Sequence, residues 1–340
     1  MFQDQIPKID LHHHFDGDYN IALLYETAKE RKLPQANCSM EDFTKQARVS
    51  KDCNHLTDFL RTFEFFYDIA KDRNFIEKSC ALLAAKQARE NIVYTETRFD
   101  PHLLVCNDLS AEEAVLLITE TLSREARQNS IEIKVILSLM RGSPLDQLKE
   151  NIRFFEMHHN IVGIDLAGDE FHIPYPEAAY LYKDASTRGI PVTIHAGEAR
   201  GAESIHKALN DFGAIRIGHG VNAVADKSLM KKLKDRQIFL EICVTSNLQT
   251  GTVLHLNQHP LRELFDAEVP VTLNTDDPSV SGINLAGEIN LIMQEMHFLP
   301  SEILQLQKNS VQAAFCDLQA KDKLLAKINQ FELEFYSKKS

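Results

Sequence analysis

The sequence predicts an α/β fold, a (β/α)8 barrel of the TIM-like type, and three observations carry that expectation. Short β-branched runs alternate with stretches of helical periodicity along almost all of the 340 residues, the signature of a parallel sheet with helical crossovers. The strand-like runs number about eight, which suits a closed barrel better than an open sheet. The third is that several of these runs end in histidine or a carboxylate, and the C-terminal ends of barrel strands are where side chains converge.

Taken in order, the strand-like runs are Ile9–His12, Val93–Arg98, Ile131–Leu139, Val162–Leu166, Val192–His195, Ile215–His219, Ile238–Cys243 and Val269–Thr275. Helical patterns fill the gaps at Ala111–Gln128, Leu145–His158, Tyr175–Arg188, Ala202–Phe212 and Lys227–Arg236, and two more, Glu302–Ala314 and Ala320–Tyr336, close the outside of the barrel. The first gap is too long for one crossover: a barrel unit takes roughly 30 residues, and here the first two runs lie roughly 80 apart. The excess, about residues 18–75, is expected as a helical lid inserted after strand one within a single domain spanning 1–340. Within it Leu56, Phe59, Leu60 and Phe63 fall at i, i+3, i+4, i+7, one apolar helix face.

Composition narrows the function classes. Apolar residues at 44% and charged residues at 25% are ordinary for a globular chain, and a formal charge of −12 lacks the basic footprint that nucleic acid requires. Six scattered cysteines show no C-x-x-C pair, which reads as buried thiols in a reducing compartment. The N-terminal residues carry no charged-then-apolar leader, and no stretch approaches a membrane span. The expectation is a cytoplasmic protein without membrane or nucleic-acid partners.

Chemistry is expected at the strand ends. In Asp10-Leu-His-His-His-Phe-Asp-Gly17, alternation puts His12, His14 and Asp16 on one side and His13 on the other, as a bystander. Ile164-Asp-Leu-Ala-Gly-Asp-Glu170 offers Gly168, where a ligand can approach the backbone, and no lysine to bridge two metals. Val192-Thr-Ile-His-Ala-Gly-Glu198 supplies His195 and Glu198, Arg216-Ile-Gly-His-Gly220 supplies His219, and Asn274-Thr-Asp-Asp-Pro278 supplies Asp276 and Asp277. Any one of these has a structural explanation, such as a helix cap or a core hydrogen bond. Together, three histidines and one carboxylate make an N3O ligand set suited to one zinc ion with a position left for water. His55, His102, His158, His159, His172, His206, His255, His259 and His297 sit off strand ends and receive no role.

These motifs together resemble the adenosine deaminase family of metal-dependent hydrolases. The match rests on His12–Gly17, Asp165–Glu170, His195–Glu198, Gly218–Gly220, Thr245–Gly251 and Asn274–Pro278, in the family's order and spacing over nearly the whole chain. The resemblance implies that His12, His14, His195 and Asp276 bind one Zn2+. It implies that Glu198 protonates purine N1, that His219 orients and helps deprotonate the water, and that Asp277 meets N7. The Gly168 N–H would meet N3, Asp16 would face the ribose 5′-hydroxyl, and Leu56, Phe59, Leu60 and Phe63 would gate the purine. The reaction implied is deamination of adenosine, and of 2′-deoxyadenosine, to the 6-oxo nucleoside and ammonia, in purine salvage. Adenine or another 6-aminopurine is the rival substrate, and Asp16 favours the nucleoside. Phe15, His13 and Asp18-Tyr-Asn20 depart from the family pattern and bear on the ribose side.

Overall fold

The computed structural model describes residues 1–172 and 176–338. Eight strands follow one another around a single sheet, each parallel to the next. They are β1 (Lys8–His14), β2 (Ile92–Phe99), β3 (Glu132–Met140), β4 (Ile161–Ala167), β5 (Val192–Ala196), β6 (Arg216–His219), β7 (Phe239–Ile242) and β8 (Val271–Leu273). Helices Ala111–Gln128, Leu145–Met157, Pro176–Thr187, Ala202–Asn210 and Lys227–Asp235 form the crossovers. These bounds sit within a residue or two of the expected ones; Tyr175, the expected start of one helix, lies outside the described residues.

The largest departure is at β8, where the expected seven-residue run yields only three residues of strand. At Asn274 the N–H still joins Ile242 O of β7 at 2.9 Å, but on the β1 side its side chain takes the place of a backbone partner. Asn274 Oδ1 accepts the Leu11 N–H at 3.0 Å, and backbone bonds link Asp276 N to His12 O and His14 N to Asp276 O, each at 2.8 Å. The seam between last strand and first is thus stitched by the Asn274 side chain, by the Thr275 hydroxyl donating to Asp10 at 2.6 Å and by the backbone of Asp276, not by a regular ladder.

Outward-facing residues such as Val192, Ile194, Ile217, Leu240 and Val271 pack under the helices as the main core. The barrel interior is polar instead. Arg98, Arg216, Glu241 and Asp165 are fully or almost fully buried there. Arg98 donates to Glu241 at 2.8 Å and to Leu11 O at 2.7 Å, while Arg216 pairs with Glu96 at 2.6 Å and with Glu241. Charges out of water survive only when paired and hydrogen-bonded, and here each has a partner.

Between β1 and β2 run helices Ile21–Glu30, Met40–Gln46, Leu56–Glu64 and Arg73–Arg89 with three shorter turns. Asn20, Ser39 and Asp72 cap three of them by accepting a backbone N–H. Their apolar faces form a second core with Phe15, Tyr19, Phe43, Phe63 and Phe66. Among the described residues no helix is long and apolar enough to cross a membrane.

Candidate metal and purine site

β1, β5, β6 and the turn after β8 bring their end residues to one point. His12, His195, His219 and Asp276 each offer a ligand atom, and these atoms all lie within 4.8 Å of one another. His14 joins them: its Nε2 is 3.3 Å from His195 Nε2 and 3.2 Å from Asp276 Oδ1. Asp276 and His219 both adopt positive φ, 64° and 58°. For residues with a side chain that is an uncommon backbone state and marks strain held at a site. Gly218 makes room here, because a Cβ would stand 2.9 Å from His12 Cε1.

Carboxylates behind two of the rings set their protons. His12 Nδ1 lies 2.6 Å from Glu241 and His195 Nδ1 lies 3.1 Å from Asp165, so each Nδ1 donates outward and each Nε2 turns a lone pair toward the centre. Burial lowers the His195 pKa to about 4, which keeps that lone pair available at neutral pH. Burial works against ionisation of Asp276, but the facing His12, His14 and His219 rings outweigh it and hold its carboxyl well below the usual range. His12 Nε2 and Asp276 Oδ1 face each other 3.2 Å apart, and neither has a well-formed hydrogen bond. Ring nitrogens and a carboxylate oxygen gathered this closely fit a metal ion of the nitrogen- and oxygen-preferring kind.

Glu198 stands beside this group, 3.7 Å from His219 Nε2. Burial first, then the negative charges of Asp276 and Glu170, push its pKa well above the ordinary carboxyl value. Its loop is fixed by Glu170, which accepts the N–H groups of Gly197, Glu198 and Arg200 at 2.7, 3.0 and 2.8 Å. Asp277 is likewise raised far above the usual value, by burial and then by Asp276 and Asp16. Gly17 lets Asp277 pack against the chain, since a Cβ there would overlap its carboxylate. Buried oxygens of Asp16 and Asp277 lack hydrogen-bond partners.

These groups line a cleft of about 480 Å³ together with Gly168, Leu56, Phe59, Leu60 and Phe63. Tyr67 and Met140 also line it and were not expected. Glu241, a carboxylate inside the apolar run Ile238–Cys243, was not expected either. His13 faces away, to Thr97 Oγ1 at 2.9 Å and Asp18 at 3.2 Å. Two of the departures from the family pattern, His13 and Asp18, are thus each other's partners, with Lys86 and Ser279 completing Asp18 at 2.5 and 2.8 Å. Phe15 and Tyr19 stack edge to face at 5.3 Å in the second core, and Asn20 is a helix cap.

The chain as a whole is similar to known proteins. The family model for adenosine deaminase matches residues 7–331. The chain is similar to adenosine deaminase of Haemophilus ducreyi, 35% identical over 96% of both chains. It is also similar to that of Shewanella loihica, 32% identical over 93% of this chain and 96% of the other. Among solved structures, adenine deaminase from Arthrobacter aurescens shares the fold with a TM-score of 0.87 at 23% identity, covering 96% of this chain and 99% of the other.

Proposed function

The chain belongs to the adenosine deaminase family of hydrolases, and from that premise we propose that it converts adenosine and 2′-deoxyadenosine to the 6-oxo nucleoside and ammonia with one zinc ion. The observation that carries this reading is a buried Glu198, its pKa pushed well up by burial, set beside His12, His14, His195 and Asp276, which gather at one point. His12, His14, His195 and Asp276 would hold the ion. When bound, zinc supplies Lewis-acid activation of water, lowering its pKa from 15.7 to about 7.

The chain's own residues do the rest. Purine N1 and N7 are acceptors, so each needs a donor, and the raised pKa values leave Glu198 and Asp277 protonated to provide one. Glu198 gives its proton to N1 as the water oxygen adds to C6, and a proton of the water restores it. Asp277 holds N7, the Gly168 N–H meets N3, and Asp16, with its unpartnered buried oxygen, meets the ribose 5′-hydroxyl. His219 orients the water. When the C6 adduct collapses, the hydroxyl proton leaves with the amino group as ammonia and N1 keeps its hydrogen. Leu56, Phe59, Leu60 and Phe63 act as an apolar lid that keeps bulk water out, which strengthens each of these interactions.

The purified protein should release ammonia from adenosine faster than from adenine and contain about one zinc per chain. Faster turnover of adenine would transfer the assignment to the free base. Absence of ammonia from a zinc-loaded sample with both substrates would end it.

A further inference from the structure

The groups behind the imidazoles differ in kind, and that difference fixes where each ring carries its proton. A neutral imidazole has one N–H and one lone pair. Carboxylates behind His12 and His195 claim the N–H and leave the lone pair inward. Behind His219 stands an amide, with Asn247 Nδ2 3.1 Å from His219 Nδ1. An amide can be built either way round, so Asn247 alone does not decide the tautomer.

Its other end does. Asn247 Oδ1 lies 3.3 Å from His259 Nε2, and His259 Nδ1 accepts the Leu261 backbone N–H at 3.2 Å. A backbone N–H can only donate, so His259 Nδ1 is the lone pair and His259 Nε2 the N–H. That N–H must face the oxygen of Asn247, which turns the amide NH2 toward His219 Nδ1. His219 Nδ1 is then the acceptor, and the remaining proton sits on Nε2, 3.7 Å from Glu198 and 3.8 Å from Asp276. Asn247 is fully buried, and His219 and His259 nearly so, so no bulk water competes for these bonds.

We infer that the His259–Asn247 relay locks His219 as the Nε2–H tautomer, making it a hydrogen-bond donor to the attacking oxygen rather than a metal ligand or a base at that nitrogen. His219 belongs to the tight group of four by distance, yet its inward nitrogen has no lone pair to give; His14 takes the third imidazole place. His259 and Asn247 are positioning residues. The role in the reaction rests on the function proposed above, whereas the tautomer does not.

The test is nitrogen-15 NMR of the zinc-loaded protein labelled in its histidine rings, with the His219 signals identified by their loss in His219→Gln. Protonated and bare ring nitrogens resonate far apart, and His219 should show a protonated Nε2 and a bare Nδ1. A protonated Nδ1 would overturn the inference whether or not adenosine is the substrate. In Asn247→Asp the carboxylate can only accept, so the His219 pattern should invert and kcat should fall by about 10–100-fold, the range of other supporting partners, with KM little changed. An unaltered ring pattern and kcat in that variant would also overturn it.

Discussion

Replacing Glu198 by glutamine keeps the shape of the site and removes its acidic proton. Turnover should fall by about 10²–10⁴-fold, the usual worth of a positioned acid, while zinc content and purine affinity stay near wild type; initial rates, metal analysis and calorimetry measure all three. Glu241→Gln acts one step further out. With no carboxylate to hold Nδ1–H, His12 should bind metal about 10–100-fold more weakly, read by titration against a competing chelator. His12, His14, His195, Asp276 and Glu198 were legible because strand-end histidines and acids stand out in an alternating pattern. Glu241, Asn247 and His259 were not, because a polar residue inside a strand, a short helix or a loop has many structural uses. Only the fold shows which side chain each of them faces.

Among the elements, helix Leu285–Glu295 is tied to helix Val244–Gln249 through one carboxyl. Glu288 is buried, accepts the Thr245 N–H at 3.0 Å and also bonds the Thr245 hydroxyl. Burial raises its pKa from 4.5 to about 7. A folded value above the unfolded one means that stability is complete below 4.5 and fades as pH rises through about 7. Between about pH 5 and about pH 8 the loss should be about 2.5 kcal/mol, at 1.36 kcal/mol per unit. Glu288→Gln, neutral throughout, should remove that slope from urea-unfolding midpoints measured across the range. Ala111–Gln128 matches its expected helical pattern to the residue, and in the structure a capping box from Ser110 to Glu113 fixes its start. The sequence misjudged β8 because Val269–Thr275 is apolar and β-branched enough for a longer strand, and a local pattern does not reveal that Asn274 meets β1 with its side chain instead of its backbone.

For the whole molecule, the sheet becomes a barrel only where β8 meets β1, and Asn274 makes that closure. Asn274→Leu leaves the buried Leu11 N–H without its partner, a cost of about 1–3 kcal/mol. Chemical denaturation should show that loss as a lower midpoint. The parallel order of the strands followed from strict alternation, since parallel neighbours with helical crossovers leave few topologies. How the ring shuts is a long-range matter between residues 11 and 274, which no window of sequence contains.

That same join has a second tenant. His12 and His14 approach it from one bank and Asp276 from the other, so an ion gripped by all three would act as a rivet across the ring's weakest line. Stripping the ion should speed deuterium uptake at the amides of Leu11, His14 and Asp276 more than at the β3–β4 border, and unchanged uptake would show that the ring stays shut unaided.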